Sequence, residues 1–280
     1  MAETELMTAE MYGSTATIAS DRRIPYGEDP SQFGDLFLPA ADGPHPVLLL
    51  LHGGCWRAKY GLEPMGQLAR AIADQGVAVW SLEYRRLGNG GGWPNTFLDV
   101  AHGADKLRDL SEPYHLDLSG VVVSGHSAGG HLALWSAARP LLKSESLIYT
   151  PDPLPFKSVV ALAPVCDLER AVAWDICEEA SDVLVGGHPR EVFANYYQGS
   201  PSALLPLGVR HITINGALDD IVPLEYVTHF VETAQKLKDD VALIPVSDVG
   251  HFEIVMASHP AGQLTIDTIL NEVKNINGQD

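Results

Sequence analysis

The stretch that decides the fold is residues 121–134, Val121-Val122-Val123-Ser124-Gly125-His126-Ser127-Ala128-Gly129-Gly130-His131-Leu132-Ala133-Leu134. An uncharged β-branched run is followed at once by Gly-x-Ser-x-Gly and then by residues of helical composition. This order predicts a strand, a sharp turn and a helix. In such a turn, small flanking residues allow a tight backbone and leave the serine hydroxyl exposed. With Gly125 and Gly129 as the flanks, the pattern predicts Ser127 as a nucleophile.

Strands and helices alternate along the rest of the chain. Residues 47–51, one valine and four leucines, are typical of a strand covered on both faces. The alternation predicts an α/β fold, with a mostly parallel, doubly wound sheet and helices on both faces. Further strands are predicted at 34–39, 77–82, 159–163, 210–214 and 241–246, and helices at 64–75, 95–110, 168–180, 190–197, 224–237 and 261–273.

The predicted organisation is one domain over residues 1–280. Residues 1–33 lack clean periodicity and carry turn-forming residues, which indicates an N-terminal arm. Residues 166–207 separate two predicted sheet strands and contain helical pieces with glycine and proline breaks. An insertion of that length in a doubly wound fold favours a small helical cap over the site.

Charge and composition restrict the partners. The 18 basic and 36 acidic residues give a net charge of −18, which disfavours nucleic acid and anionic membranes as partners. No apolar run reaches the roughly 18 residues of a membrane span. Residues 1–10 carry three glutamates and lack the pattern of a secretory signal. A cytoplasmic location is therefore the expectation.

The cysteines are few. Cys55, Cys166 and Cys177 are too scattered along the chain to predict a disulfide framework or a zinc site, which agrees with a reducing compartment. Cys55 is interpreted as a small apolar filler, with a reactive thiol as the alternative. No cluster of residues has metal-ligand spacing, and residues 90–92 lack the Lys-Ser/Thr of a phosphate loop. The sequence predicts no metal and no cofactor.

A serine nucleophile needs a base and a carboxylate that orients it. His251 follows the last predicted strand and lies at the carboxyl edge of the sheet, where the serine turn also opens. Asp219 follows the preceding strand, which gives the chain order Ser, Asp, His of this architecture. Asp220 is the alternative acid. The predicted catalytic residues are Ser127, Asp219 and His251.

Acyl transfer also needs N–H donors aimed at the developing oxyanion. The amide of Ala128, next to the nucleophile, is one predicted donor. Gly53 and Gly54 follow an early strand and supply the second, with the Cys55 amide as a further alternative. Side chains predicted for the pocket are Cys55, Trp56, Trp93 and Phe252, although Trp56 is favoured as an anchor of its loop. His126 and His131 are interpreted as packing or hydrogen-bonding residues.

With these residues in place, the chain resembles the α/β-hydrolase superfamily. His52-Gly53-Gly54-Cys55-Trp56 together with residues 125–131 is similar to the small esterase and kynurenine formamidase (arylformamidase) branch, near the hormone-sensitive-lipase-like esterases. Residues 83–86, followed by a glycine-rich loop, also resemble this branch. Formamidases of this type often carry an aromatic residue where Cys55 stands. Arg57 is the guess for a residue that would receive a substrate carboxylate.

The resemblance implies a serine hydrolase without cofactor, acting on small carboxylic esters through an acyl-enzyme. One alternative is an arylformamidase that hydrolyses N-formylkynurenine. A second alternative is a non-catalytic ligand-binding protein of the same fold. The expected partner is a small ester or amide substrate. The oligomeric state is open, with a homodimer as one alternative.

Overall fold

A computed structural model describes residues 6–278 of the chain. Its centre is a sheet of eight strands in the order β1-β2-β4-β3-β5-β6-β7-β8. The pairs β1–β2 and β2–β4 are antiparallel, and the other pairs are parallel. The strands are β1 (Arg22–Pro25), β2 (Phe33–Phe37), β3 (His45–Leu51), β4 (Ala78–Leu82), β5 (Leu116–His126), β6 (Ser158–Leu162), β7 (Arg210–Gly216) and β8 (Val241–Val246).

Helices cover both faces of this sheet. Leu48 and Leu50 of β3 belong to an apolar cluster on one face, and Leu49 and Leu51 belong to a cluster on the other, as the two-residue repeat of a strand requires. The α/β fold with a doubly wound, mostly parallel sheet, predicted from the alternation, is confirmed. The helices are α1 (Ala9–Gly13), α2 (Gly66–Ala73), α3 (Asn95–Asp105), α4 (Leu107–Ser111), α5 (Ala128–Ala138), α6 (Leu168–Ala173), α7 (Ala180–Val185), α8 (Phe193–Gly199), α9 (Leu224–Lys236) and α10 (Pro260–Asn277).

The elements differ from the prediction in two predicted helices and in the N-terminal arm. The predicted helix over 168–180 ends at Ala173, where α6 ends, and α7 begins only at Ala180. The predicted helix over 95–110 is two helices, α3 and α4, that meet at Lys106. The predicted N-terminal arm, of which residues 1–5 lie outside the described part, contains α1 and the edge strand β1. β1 escaped prediction because its residues are exposed or half-buried, and an edge strand with little burial has no clear apolar repeat.

The fold brings several loops to one edge of the sheet. The parallel strands β3, β5, β7 and β8 all end at this edge, and the loops that follow them carry residues 52–56, 127, 217–222 and 247–252. The insertion over 166–207 lies between β6 and β7 and contains α6, α7 and α8. The carboxyl ends of the parallel strands therefore define the place for a site.

Candidate active site

The serine turn has the strained geometry that its sequence predicts. Ser127 has φ 55° and ψ −117°, between the end of β5 and the start of α5. A Cβ on Gly125 would lie 2.2 Å from the Gly129 carbonyl oxygen, and a Cβ on Gly129 would lie 2.2 Å from the Leu51 carbonyl oxygen. Only glycine fits at these two positions, because the backbones of β3, β5 and α5 approach each other closely there. The Ser127 N–H donates to the Leu162 carbonyl at 2.8 Å, which holds the turn against β6.

The predicted base and acid meet in a buried hydrogen bond. The Nδ1 atom of His251 lies 2.7 Å from Oδ2 of Asp219, and both residues are at least 94% buried, with exposures of 4% and 6%. The other carboxylate oxygen of Asp219 accepts the N–H groups of Ile221 at 2.9 Å and Val222 at 2.7 Å. The carboxylate is therefore fixed in orientation. Asp220, the alternative acid, is exposed.

The predicted oxyanion residues border the serine. A Cβ on Gly53 would lie 2.8 Å from the His126 carbonyl oxygen and 3.2 Å from Cβ of Ser127, so the backbone of this loop lies directly against the serine turn. Gly54 has φ +107°, a conformation that side chains disfavour. Ala128 is the first residue of α5, where N–H groups have no partner within the helix. Their role as oxyanion donors stays a prediction.

A buried polar pair supports this loop from behind. Nε2 of His52 lies 2.9 Å from Oε1 of Glu83, and its Nδ1 lies 2.8 Å from the Gly53 carbonyl. The Tyr84 hydroxyl donates to the His52 carbonyl at 2.8 Å, and its ring stacks on His52 at 4.4 Å. Burial favours the neutral form of Glu83, but His52, Arg86 and the Tyr84 amide outweigh it, and the pKa of the carboxyl is lowered overall. The loop of residues 52–54 is thus held by side chains.

His126, inside the serine turn, holds the histidine loop. Its Nε2 lies 2.9 Å from the His251 carbonyl, and the two rings lie 4.5 Å apart. Burial, together with the neighbouring His251, lowers the pKa of His126 well below its ordinary value. The ring is therefore neutral, and its Nε2–H donates to the carbonyl. This hydrogen bond ties the loop of the predicted base to the loop of the predicted nucleophile.

One cavity joins these residues. Its volume is about 430 Å³, and it has an apolar wall with Ser127 and His251 on its surface. The wall outside the sheet comes from the N-terminal segment and from the loop before α2. The residues on it are Ala9, Tyr12, Gly13, His52, Gly53, Gly54, Cys55, Lys59, Tyr60, Gly61, Glu63, Pro64, Met65, His126, Ser127, Ile221, His251 and Phe252.

The predicted pocket side chains fall into two groups. Cys55 and Phe252 line the cavity. Trp56 is fully buried with its ring edge against His131 at 5.2 Å, and Trp93 packs against Phe97 at 5.4 Å. Neither tryptophan is among the residues that line the cavity within the described part of the chain. Trp56 thus packs beneath its loop, the placement that was favoured for it.

The interpretation of the cysteines was wrong. Cys55 forms a disulfide with Cys177, 122 residues further along the chain, and is neither a free apolar filler nor a free thiol. Cys166 is free and buried. The number and scatter of the cysteines suggested no disulfide, because the pairing depends on contact between two loops that sequence spacing does not reveal. Because this disulfide forms, the small number of cysteines no longer supports the expectation of a reducing compartment.

The insertion over 166–207 reaches the site through this disulfide. Arg57, two residues after Cys55, pairs with Glu178 at 2.9 Å and with Glu179 at 3.1 Å. Arg57 is therefore already occupied by carboxylates of the protein. Among the described residues, those that line the cavity come from outside the insertion, and its role as a cap stays a prediction.

Three supporting residues were not assigned a role from the sequence. Glu83 and Tyr84 both hydrogen bond to His52. Tyr12 lines the cavity. Glu83 and Tyr84 come directly after β4, and this position at the carboxyl edge was the available signal. Tyr12 lies in the arm, where the sequence showed no signal.

Metal-ligand groups and membrane-spanning helices were both sought among the described residues. Within residues 6–278, no group of three or more histidine, cysteine, aspartate or glutamate side chains is arranged to hold a metal ion. None of the helices described over the same range has the length and apolar character needed to cross a lipid bilayer.

Comparison with known proteins places the chain among related sequences and folds. The model of the BD-FAE family matches residues 35–233. Esterase LipC of Mycobacterium tuberculosis is 28% identical over 257 residues, which cover 85% of this chain and 59% of LipC. Kynurenine formamidase of Danio rerio is 30% identical over 111 residues, which cover 39% of this chain and 36% of that enzyme. The chain thus matches less than two thirds of the length of either relative.

Solved structures show the same fold. Esterase B from Lactobacillus rhamnosis, in an inhibited form, has a TM-score of 0.80 and 22% identity over 92% of this chain and 87% of its own. A truncated carbohydrate esterase from gut microbiota has a TM-score of 0.78 and 20% identity over 92% of this chain and 97% of its own. These neighbours are α/β-hydrolase esterases, and at this level of identity they establish the α/β-hydrolase fold.

Proposed function

The chain belongs to the BD-FAE family, and from that premise and the site geometry we propose that it is a serine hydrolase of small carboxylic esters. The observation that carries the proposal is the His251–Asp219 hydrogen bond of 2.7 Å beside a strained Ser127 that lines the same cavity. A nucleophile, a base and an orienting carboxylate together activate a serine for acyl transfer. The resemblance to esterase LipC supports the same reaction class.

In the proposed mechanism, the Ser127 Oγ attacks the acyl carbon while Nε2 of His251 takes its proton. Asp219 holds the imidazole in the required tautomer and stabilises the imidazolium. The Ala128 amide and the amides of Gly53 and Gly54 donate to the oxyanion, where one such donor is commonly worth about 3 kcal/mol. His251 then returns the proton to the leaving alcohol, and water clears the acyl-enzyme by the reverse sequence.

The test of this proposal is the Ser127→Ala variant with short p-nitrophenyl esters. We expect turnover to fall to the background of the ester in buffer, while the circular dichroism spectrum and the unfolding midpoint stay near those of the wild type. Labelling of the wild type by a fluorophosphonate probe should occur at Ser127 and disappear in the variant. Retained turnover in Ser127→Ala would contradict the proposal. A wild type that neither labels nor turns over any ester would favour the non-catalytic ligand-binding alternative.

An arylformamidase is the second candidate, favoured by the match to kynurenine formamidase of Danio rerio. Esters and activated amides pass through the same tetrahedral oxyanion, so the catalytic residues do not separate the two. Arg57, expected to receive a substrate carboxylate, is engaged by Glu178 and Glu179, whereas Lys59 is the basic residue among those described that line the cavity. Turnover of N-formylkynurenine far above that of simple esters, measured in one substrate panel, would select this candidate.

A further inference from the structure

The N-terminal segment, residues 6–13, is fixed to the loop that carries His251. The Met7 N–H donates to Oε1 of Glu253 at 2.5 Å, and Oε2 of the same carboxylate accepts the Gly250 N–H at 3.0 Å. Glu253 is buried, with an exposure of 6%. One buried carboxylate thus joins the segment to the residue before His251, and a charged acceptor makes both hydrogen bonds strong.

Tyr12 at the end of this segment forms part of the cavity wall. Its ring stacks on Phe252, the neighbour of His251, with a centroid distance of 5.1 Å. It also lies 6.2 Å from the ring of His126. Its hydroxyl donates to Sδ of Met65 at 3.0 Å, and Met65 lines the same cavity. Tyr12 therefore closes the space between the histidine loop and the loop before α2.

The position of Tyr12 relative to His251 indicates which part of the substrate Tyr12 would contact. In the proposed mechanism, the imidazole gives its proton to the leaving alcohol, so that oxygen must come within hydrogen-bond distance of His251. The rings of Phe252 and His126 lie 5.0 Å and 4.5 Å from the His251 ring, and Tyr12 contacts both. The alcohol part of an ester bound in this way meets the Tyr12 wall.

We propose that Tyr12 is a specificity-determining residue that limits the size of the alcohol part of the ester. This inference rests on the proposed function and adds a substrate class to it, namely esters of compact alcohols. The ring is anchored on two sides, by Phe252 and by Met65, and so acts as a fixed wall. A bulkier alcohol requires that the ring be displaced.

The experiment compares two ester series in the full-length protein. In the alcohol series the acyl group is acetate and the alcohol grows from ethanol through phenol to 1-naphthol. In the acyl series the leaving group is p-nitrophenol and the acyl group grows from acetate to octanoate. The variants are Tyr12→Ala and Tyr12→Trp. Met11→Ala is the control, because Met11 is the adjacent residue, is 47% exposed and is not among the residues that line the cavity.

We expect Tyr12→Ala to raise the ratio of kcat/KM for 1-naphthyl acetate over phenyl acetate by about tenfold, the lower end of what one methylene changes in an apolar pocket. Tyr12→Trp should lower that ratio, and Met11→Ala should leave it unchanged. The acyl series should respond less than the alcohol series in every variant.

An unchanged alcohol ratio in Tyr12→Ala, or a change confined to the acyl series, would overturn the role of Tyr12 while leaving ester hydrolysis intact. A wild type inactive on both series and unlabelled at Ser127 would instead overturn the proposed function, and the inference with it. Because Tyr12 is half-buried and packs against one of the two core clusters, matched unfolding midpoints of the variants serve as the check that the fold is preserved.

Discussion

The floor and the cover of the cavity are held in different ways. The floor, residues 52–54, 126–128, 219 and 251, follows the ends of strands whose backbones are hydrogen-bonded in one sheet. The cover, residues 6–13 and 59–65, lies outside the sheet, and its N-terminal segment is joined to the histidine loop by contacts that involve side chains, such as Tyr12 on Phe252 and Met7 on Glu253. The groups proposed for the chemistry thus stand on the rigid part of the fold, and those proposed for selectivity stand on the part that can vary at small cost.

The largest effect is expected at the floor, where Asp219 and Asp220 are adjacent in sequence but differ in burial. Asp219→Asn keeps the side-chain shape but removes the charge and favours the wrong imidazole tautomer, so kcat should fall by about 10⁴-fold. Asp220→Asn is the matched control and should leave kcat unchanged, because its side chain is exposed. Rates with p-nitrophenyl acetate measure both. Similar losses in the two variants would contradict the assignment of Asp219.

The disulfide tests how the floor is held, since it joins the loop that contains Gly53 and Gly54 to the insertion over 166–207. A bond that closes a long loop commonly contributes about 2–4 kcal/mol to the free energy of unfolding. We expect Cys55→Ser, Cys177→Ser and the double variant to lose the same amount in urea unfolding, because each breaks the same bond. Additive losses, or three titratable thiols in the unfolded unreduced protein, would show that the bond is absent.

The difference between floor and cover also explains what the sequence could predict. Ser127 and Asp219 follow the mostly buried strands β5 and β7, and His251 follows the half-buried strand β8. Because parallel strands end at one edge, local patterns suffice to predict that these residues lie at the same edge. The disulfide pairs residues 122 positions apart, and Tyr12 lies in an arm without periodicity. Such contacts depend on the packing of side chains between distant segments, for which a single sequence has no local signal.

His131 on α5 links the floor to the end of the insertion, and it makes stability depend on pH. Its Nε2 hydrogen bonds to the Gly199 carbonyl at 2.8 Å, and burial lowers its pKa from 6.5 to about 4. Between these values the unfolded chain binds a proton that the folded chain excludes, so stability falls as the pH decreases from 6.5 towards 4. The loss from this group between pH 7 and pH 5 should be about 2 kcal/mol.

The variant that isolates this term is His131→Phe, which keeps a ring but cannot titrate. It loses the hydrogen bond to Gly199 and should be less stable than the wild type at pH 7. Between pH 7 and pH 5 the variant should lose less free energy of unfolding than the wild type, by about 2 kcal/mol. Urea unfolding at the two pH values measures both losses. An equal pH dependence in the two proteins would place the titration elsewhere.

The smallest effect is expected at Tyr84, which contacts His52 in the loop proposed to supply the oxyanion donors. Tyr84→Phe keeps the ring on His52 and removes the hydroxyl that donates to the His52 carbonyl. A lost hydrogen bond of this kind costs about 1 kcal/mol of stability.

Tyr26→Phe is the matched control, because the Tyr26 hydroxyl donates to another main-chain carbonyl, that of Glu83, at the same distance of 2.8 Å. Both variants should lower the unfolding midpoint, but only Tyr84→Phe should lower kcat, since His52 directly precedes Gly53 and Gly54, the residues proposed to donate to the oxyanion. A decrease in kcat of equal size in both variants would indicate a general loosening of the sheet edge and would contradict a specific role for Tyr84.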